Sequence, residues 1–338
     1  MATESLGLTV FQWILLIILS IGCIHYIWLV WEDKYSRPSG WNGDSASHNE
    51  GFTASQLSTD QTDSDKSRTS WFENDELYDE FYASVYDNLT QLAGRYPQEV
   101  SLIMHQWKKT SEADTMDVLD CGSGSGIASI YFAKQGVNSV TGLDMSESML
   151  RRSRNVTLVA GLPLNDRDTV TFLQGDMQQQ ATFKAGQFSH AALLFFTIYY
   201  SPDMVGLFNN LYYWIRPGGQ LAIEVVNKYK FDPLLESATP FVGLSLQRYS
   251  KKRITKSKVV FDKFEYEAEF DLQDPQAEFR ETFRFKDKSV RRQRHTMNMR
   301  DINDIIELAQ EAGWRYTGNI DLMTAGFEYA YILMFNHP

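Results

Sequence analysis

Three glycines at alternating positions, Gly122, Gly124 and Gly126, form the motif best suited to chemistry in this 338-residue chain. They follow a predicted strand over Met116–Asp120 and precede a predicted helix over Ile127–Gln135. Glycine lets the backbone turn sharply and approach a ligand closely, and a helix N-terminus offers unpaired N–H donors. The motif therefore indicates a loop that holds a nucleotide-like cofactor. It lacks the Gly-Lys-Ser/Thr ending of a Walker phosphate loop.

Acidic residues follow the predicted strands at the positions where such a cofactor needs them. Asp120 ends the first strand, and Asp144 ends the next strand, over Val140–Asp144, about 20 residues after the glycines. A carboxylate at that place can accept hydrogen bonds from both hydroxyls of a ribose. Asp176 follows a third predicted strand, Val170–Gly175. We therefore expect these carboxylates to gather at one edge of a parallel sheet.

Strands and helices alternate from about Trp71 to the C-terminus, which is typical of parallel α/β units. The recurrence of apolar residues every four positions predicts a first helix over Glu73–Leu92. Ser146 is the predicted N-cap of a helix over Glu147–Asn155. Further elements are predicted as strands at His190–Thr197, Gln220–Val226 and Phe327–Phe335, and as a helix at Asp301–Ala312.

With these motifs in register, the chain resembles the class I S-adenosylmethionine-dependent methyltransferases of the small-molecule type. The resemblance rests on VLDCGSGSG, VTGLD, QGDM and IRPGGQL and extends from about Trp71 to the C-terminus. It implies a Rossmann-like, mostly parallel seven-stranded sheet with an antiparallel last strand, and S-adenosylmethionine as the cofactor. The dinucleotide-binding spacing G-x-G-x-x-G would instead need a glycine at Ile127. An NAD-type oxidoreductase remains an alternative.

The resemblance also assigns roles to individual residues. Asp120 and the three glycines would surround the methionine portion, Asp144 would hold the ribose, and Met145 would lie against the adenine. Asp176 would accept a hydrogen bond from the adenine amine, with Met177 beside it. Phe195 and Phe196 would line the cleft. The family often has a Tyr-Asp pair that closes over the cofactor, and both Tyr86-Asp87 and Tyr78-Asp79 match it. The alternative is that these tyrosines only pack the first helix against the sheet.

A β-rich insertion, residues 228–297, is predicted to cover the acceptor site. Apolar and charged residues alternate from Lys263 to Leu272, as in a strand with one solvent-exposed face. Glu281 falls on the same face as the phenylalanines of a second strand, where it is either paired to an arginine or placed for a substrate. His295 is either a base that deprotonates an acceptor hydroxyl or amine, or a surface residue.

Aromatic residues near this cover are numerous enough to form an apolar acceptor pocket. They are Phe195, Phe196, Tyr199, Tyr200, Phe264, Tyr266, Phe279 and Phe283. Such a pocket favours a small or lipid-like acceptor, whereas a filled core beneath the cover is the other interpretation. A protein acceptor and a tethered scaffold without turnover also stay open as alternatives.

The N-terminal segment Leu6–Trp31 contains no Lys, Arg, Asp or Glu. A run of 18 or more apolar residues is long enough to cross the hydrocarbon core of a bilayer. A cleaved signal peptide would need a basic N-terminal region, and Glu4 is the only charged side chain before the run. The sequence therefore predicts a single transmembrane anchor over residues 1–31.

Lys34 and Arg37 follow the anchor and no basic side chain precedes it, so the positive-inside rule predicts a cytosolic catalytic domain. Residues 32–70 are rich in Ser, Thr, Asp, Asn and Gly and predict a disordered linker. Residues 71–338 then form the methyltransferase domain.

Composition excludes several other classes. The net charge of −11 argues against a nucleic-acid partner, because phosphate neutralisation needs clustered Lys and Arg. The cysteines are two in number, too few for a disulfide framework or a Cys-based zinc site, and no cluster of metal ligands is predicted.

Overall fold

The computed structural model describes residues 69–73, 76–110, 115–160, 169–235, 237, 247, 250 and 252–338. The predicted anchor and all but the last two residues of the predicted linker lie outside these ranges. Within them, no helix combines the length and the apolar character needed to cross a membrane. The anchor therefore stays a prediction from the sequence.

The described elements alternate as the sequence predicts. The strands are β1 (Thr69–Glu73), β2 (Asp117–Cys121), β3 (Ser139–Asp144), β4 (Val170–Gln174), β5 (Phe188–Leu193), β6 (Ile215–Val226), β7 (Lys256–Val260), β8 (Phe264–Gln273), β9 (Gln276–Phe285), β10 (Val290–Asn298), β11 (Arg315–Asp321) and β12 (Ala330–Asn336). The helices are α1 (Glu80–Thr90), α2 (Leu92–Thr110), α3 (Ile127–Lys134), α4 (Glu147–Val159), α5 (Met204–Trp214) and α6 (Ile302–Glu311).

The larger sheet has seven strands in the order β11-β12-β6-β5-β2-β3-β4. The strands from β6 to β4 are parallel to their neighbours, whereas β12 is antiparallel to both β6 and β11. This confirms the predicted mostly parallel sheet with an antiparallel last strand. The strand order reverses between β2 and β5, and in open α/β sheets the crevice at that point is where ligands bind.

The smaller sheet has five strands in the order β1-β10-β9-β8-β7. Strands β7 to β10 are antiparallel hairpin partners, as expected for the predicted cover. Strand β1 is different, because it comes from before the domain's first helix and pairs in parallel with β10. Five residues without a hydrophobic alternation give no local signal for a strand, so only the pairing with β10 defines it. It begins at Thr69, two residues before the predicted domain boundary at Trp71.

The first helix is shorter than predicted. Glu73 belongs to β1, and α1 begins only after Asp79, whose carboxylate accepts a hydrogen bond from the backbone N–H of Tyr82 at 2.9 Å. At its other end Gln91 adopts a left-handed conformation with φ of 53°, which separates α1 from α2. The fourfold periodicity thus located the helix, while its caps set the ends.

Helix α1 packs on the inner face of the smaller sheet. The ring of Phe81 lies 5.2 Å from that of Phe283 and 6.1 Å from that of Phe264, in edge-to-face contacts. At the start of the helix, the second carboxylate oxygen of Asp79 accepts a hydrogen bond from Nη1 of Arg291 on β10 at 2.6 Å. Arg291 is buried, so this ion pair ties the cover to the helix that faces the cofactor loop.

We expect the substitution Asp79→Ala to lower the free energy of unfolding by about 2 kcal/mol, because it removes both the N-cap of α1 and a partner of a buried arginine. Urea denaturation of the full chain measures the change. The control is the neighbouring substitution Glu80→Ala, which removes an exposed carboxylate 3.5 Å from Arg151. Its effect should stay within about 0.5 kcal/mol. Equal losses in the two variants would contradict the structural role of Asp79.

Candidate functional site

The glycine loop connects β2 to α3 and has a backbone that only glycine adopts easily. Gly122 and Gly126 have φ angles of 74° and 77°. A Cβ atom on Gly122 would lie 2.5 Å from Cγ2 of Thr197, and one on Gly126 would lie 2.6 Å from Phe172. The glycines therefore allow both the turn and the close packing of neighbouring elements around it.

Asp144, at the end of β3, is bonded directly to this loop. One carboxylate oxygen accepts a hydrogen bond from the backbone N–H of Gly124 at 2.8 Å, and the other from that of Ser146 at 2.9 Å. Burial raises the pKa of Asp144, and the backbone donors oppose that shift. Met145, next in the chain, is 52% exposed and leaves an apolar surface beside the carboxylate. Asp144 and Met145 thus lie side by side next to the glycine loop, and the ribose and adenine roles that the resemblance gives them stay predictions.

Asp120 lies beneath the loop and is buried. Its carboxylate accepts a hydrogen bond from the hydroxyl of Ser129 at 2.5 Å, and burial raises its pKa to about 6. A positively charged ligand portion beside Asp120 would favour the ionised form. This is the chemistry expected near the methionine portion of the cofactor.

The third acidic position, Asp176, follows β4 and accepts a hydrogen bond from the backbone N–H of Gln178 at 2.8 Å. Met177 is held by its carbonyl, which accepts a hydrogen bond from Asn210 at 3.0 Å. Its sulfur lies 3.9 Å from that of Cys121, a buried thiol whose pKa is raised by burial. Cys121 is therefore a protonated packing residue.

An aromatic pocket lies beside the glycine loop and extends to the cover. It encloses about 550 Å³ of empty space, including the part open to solvent. The lining side chains come from the start of the domain, the loops after β5 and β6, and strands β8 to β10. They are Tyr78, Tyr82, Tyr86, Thr90, Phe195, Phe196, Tyr200, Phe231, Pro233, Leu235, Phe270, Phe279, His295 and Met297.

Both predicted tyrosines thus line this pocket. Tyr86 is nearest to the loop, since a Cβ atom on Gly124 would lie 3.9 Å from its ring, and its ring centroid lies 6.5 Å from that of Phe195. The acid that follows it, Asp87, pairs with Arg152 of α4 at 2.8 Å. Tyr86 therefore has a ligand-facing position, whereas Asp87 and Asp79 hold the helix in place.

The predicted aromatic set divides between pocket and core. Phe195, Phe196, Tyr200 and Phe279 line the pocket. Phe264, Tyr266 and Phe283 instead belong to the apolar cluster between α1 and the cover, and Tyr199 is buried with its hydroxyl accepting from the backbone N–H of Val226 at 2.9 Å. For these last four residues, the core interpretation is correct. The pleat of the cover places Phe264, Tyr266 and Phe283 on the face that α1 fills.

His295 and Glu281 meet in the wall of the pocket. Nε2 of His295 lies 2.7 Å from a carboxylate oxygen of Glu281, and both side chains are buried. The interpretation of His295 as a surface residue is therefore wrong, because β10 turns it toward α1. The pairing of Glu281 with an arginine is also wrong, since its other partners are Tyr266 and Gln293, each at 2.5 Å.

Two members of this network, Tyr82 and Gln293, were missed by the sequence analysis. Gln293 lies directly opposite Glu281 in the pairing of β9 with β10, and it alternates with Arg291 and His295 on one face. The period-two alternation on β10 was a usable signal. The hydroxyl of Tyr82 lies 3.4 Å from Nε2 of His295. No sequence signal predicted this contact, because the helix that carries Tyr82 reaches the cover only in the folded chain.

The loop after β5 carries Phe195 and Phe196 with positive φ angles of 45° and 66°. The backbone N–H of Phe195 donates a hydrogen bond to Glu224 of β6 at 2.7 Å, and Glu224 also pairs with Arg95 of α2. The guanidinium of Arg95 lies 3.9 Å from the ring centroid of Phe327. This buried charge network holds the loop after β5 between the glycine loop and the pocket. No sequence motif predicted the network.

Comparison with known proteins supports the same assignment. Residues 118–219 match the family model described as a methyltransferase domain. An S-adenosylmethionine-dependent methyltransferase from Clostridium acetobutylicum is 15% identical, with a TM-score of 0.56 over 76% of this chain and 97% of that chain. The CcbJ methyltransferase from Streptomyces caelestis is 15% identical, with a TM-score of 0.55 over 77% of this chain and 98% of that chain.

S-adenosylmethionine-bound CalS10, an amino pentose methyltransferase from Micromonospora echinaspora, is 18% identical, with a TM-score of 0.50 over 78% of this chain and 100% of that chain. No curated protein sequence matches the chain significantly. At these identities the solved structures show the fold. The family match shows a methyltransferase domain over residues 118–219, the part of the chain that contains the glycine loop, Asp120, Asp144 and Asp176.

Proposed function

We propose that this methyltransferase transfers its methyl group to a hydroxyl or amine of a small, lipid-like acceptor that reaches the enzyme at a membrane. The observation that carries this proposal is the aromatic pocket, which joins the glycine loop at Tyr86 and Phe195 to a buried histidine in the opposite wall. A methyl donor held by the loop and an acceptor held by the pocket would be aligned there, and such alignment supplies much of the rate enhancement.

The glycine loop and the carboxylates around it have the chemical groups needed to bind S-adenosylmethionine. Side chains are excluded at Gly122 and Gly126, and a buried carboxylate, Asp144, lies next to the loop where ribose hydroxyls can donate to it. Asp120 provides a second buried carboxylate near the expected positive charge. The bound cofactor supplies an electrophilic methyl group on a positively charged sulfur. The aromatic rings of Tyr86 and Phe195 are suited to lie against such a cation.

The acceptor portion in the pocket should be uncharged or cationic and largely apolar. Of the lining residues that the structure describes, none is Lys, Arg, Asp or Glu, so a phosphate or carboxylate would find no counter-charge there. Phenylalanine and tyrosine rings instead suit a ring system or an acyl chain. CalS10, with its amino pentose substrate, shows that this fold accommodates small acceptors.

A base is available for the proton that the acceptor loses. His295 lies in the pocket wall, and Glu281 behind it stabilises a protonated imidazole. Glu281 is a positioning residue, since it touches His295 and is itself buried away from the pocket. The proposal needs no nucleic-acid partner, in agreement with the net charge of −11.

We expect Asp144→Ala to weaken S-adenosylmethionine binding at least about tenfold, because hydrogen bonds to a charged group contribute about 1.5–3 kcal/mol. Titration calorimetry of the full chain measures the affinity. The control is Asp117→Ala at the N-terminal end of β2, whereas the glycine loop follows the C-terminal end of that strand. Asp117 accepts hydrogen bonds from Asn138 and Ser139, so the variant should lose stability and keep its affinity. Unchanged affinity in Asp144→Ala would contradict the assignment of the ribose site.

The acceptor class is tested by incubating the full chain in lipid vesicles with methyl-tritiated S-adenosylmethionine and either a total lipid extract or a membrane-protein fraction. The expected label enters the organic phase. The variant Ile17→Arg/Ile18→Arg should reduce this labelling, because each charge at the centre of the anchor costs about 2.5–3.5 kcal/mol. Its cofactor affinity should stay unchanged. Label confined to protein would replace the lipid-like acceptor by a protein acceptor, and no label in either fraction would support the scaffold alternative.

The proposed topology is a single membrane span with the catalytic domain in the cytosol. In sealed microsomal vesicles, whose cytosolic face is outside, protease should digest the domain from Trp71 onward without detergent. A domain that is degraded only after detergent is added would reverse the orientation.

A further inference from the structure

We propose that Tyr200 is a catalytic residue of this enzyme: its phenol oxygen takes the proton of the acceptor while its own proton passes to His295. This inference rests on the proposed function and names the group that meets the acceptor. From the sequence alone, Tyr200 is one of several aromatic residues predicted to form a pocket. The structure gives its hydroxyl a chemical partner.

Both ring nitrogens of His295 are already engaged. Nε2 lies 2.7 Å from Glu281, and Nδ1 lies 2.7 Å from the hydroxyl of Tyr200. An acceptor therefore cannot approach a free nitrogen of the imidazole without displacing one of these partners. The side chain of Tyr200 lines the pocket and is more exposed than His295, which is 4% exposed. The phenol oxygen is thus the end of the network that an acceptor can reach.

Charge decides the direction of these hydrogen bonds. Burial opposes the ionisation of Glu281, but hydrogen bonds from His295, Tyr266 and Gln293 hold its pKa below the ordinary value. An ionised Glu281 accepts hydrogen bonds only, so Nε2 of His295 carries a proton. When the imidazole is neutral, as a base must be, its lone pair is on Nδ1 and the hydroxyl of Tyr200 donates to it.

The remaining groups around the relay favour the same arrangement. Tyr200 accepts a hydrogen bond from Tyr78, which lowers the pKa of Tyr200, but burial raises that pKa more strongly. The phenol is therefore protonated at rest and its two proton transfers must be coupled. Among the residues that the structure describes, the ionisable groups in contact with His295 are Glu281, Tyr200, Tyr82 and Tyr78. None of these four is a cation that would oppose protonation of the imidazole.

The protons and electrons of the step balance. The acceptor's O–H or N–H bond breaks as its electron pair forms the bond to the methyl carbon, and the methyl–sulfur bond electrons stay on sulfur. The released proton goes to the oxygen of Tyr200, whose original proton goes to Nδ1 of His295. The imidazolium that results is stabilised by Glu281, in the manner of a carboxylate that supports a histidine base.

The position of Tyr200 in the chain links this relay to the cofactor loop. It ends the short 3-10 turn Thr197–Tyr200, which follows Phe196. Thr197 at the other end of the turn packs so closely on Gly122 that a Cβ atom there would meet it at 2.5 Å. The first residue of this turn therefore contacts the glycine loop, and its last residue contacts His295. The turn thus sets the distance between the glycine loop and His295.

The test uses the full chain in lipid vesicles with methyl-tritiated S-adenosylmethionine and the total lipid extract as the acceptor source. Tyr200→Phe keeps the ring and removes the relay oxygen, so kcat should fall about 100-fold, within the usual range for general base catalysis. Its cofactor affinity should change by less than about twofold, since the relay does not hold the cofactor. Because the residues act as one unit, Tyr200→Phe/His295→Asn should be no slower than the slower single variant.

The control is Tyr199→Phe, which removes the neighbouring buried hydroxyl that bonds to the backbone of Val226. It should lower thermal stability and reduce kcat much less than Tyr200→Phe does. A control outside this turn is Tyr316→Phe on β11, which removes a hydroxyl that bonds to Asn319 and does not line the pocket, and which should leave kcat unchanged. A second readout is the rate in mixtures of H₂O and D₂O, where two coupled protons give a curved dependence and the wild type should show it.

A Tyr200→Phe variant that retains more than half of wild-type kcat, multiplicative losses in the double variant, or a linear isotope dependence would overturn the relay alone. A wild-type chain that labels no lipid would overturn the proposed function and the relay with it. Intact cofactor binding in that chain would still support the methyltransferase assignment.

Discussion

The ion pair between the buried Arg291 and the partly exposed Asp79 is the contact on which the geometry of the pocket depends most. An arginine that is removed from water must keep its partners, so Asp79 is held against β10 and α1 has to begin at that point. From there Tyr78, Tyr82 and Tyr86 recur every fourth residue and reach the same pocket. One charge pair at the cover therefore fixes which face of α1 lines the pocket.

The two sheets perform separate tasks that this helix brings together. The parallel sheet presents the carboxyl ends of its strands, and the glycine loop and Asp144 gather there for a topological reason. The smaller sheet supplies no cofactor ligand of the predicted set. It supplies the far wall of the pocket and His295, the proposed base, on strand β10, which pairs with β1. The segment that precedes the first helix is thus paired to the strand that carries His295.

The buried charged groups Glu281 and Arg95 near the pocket are costly to bury, and several partners compensate each of them. Glu281 is bonded by His295, Tyr266 and Gln293, and Arg95 by two carboxylates and an aromatic face. Fully partnered networks of this kind hold side chains in one geometry, because any rotation would leave a charge without a partner. In a site that aligns a methyl donor with an acceptor, such rigidity has a direct use.

The sequence by itself determined the cofactor half of this protein. The spacing of Gly122, Gly124 and Gly126 from Asp144 is a local property of a strand, a turn and a helix, and parallel strands bring the acids to one edge whatever the rest of the fold does. Only the tertiary structure decided the acceptor half. Tyr200 and His295 are 95 residues apart, and their contact depends on how the cover folds back over the loop after β5. The sequence left two interpretations open for each of Glu281 and His295. The packing of α1 against the cover buried both side chains. Buried polar groups need hydrogen-bond partners, and on this face Glu281 and His295 bond to each other.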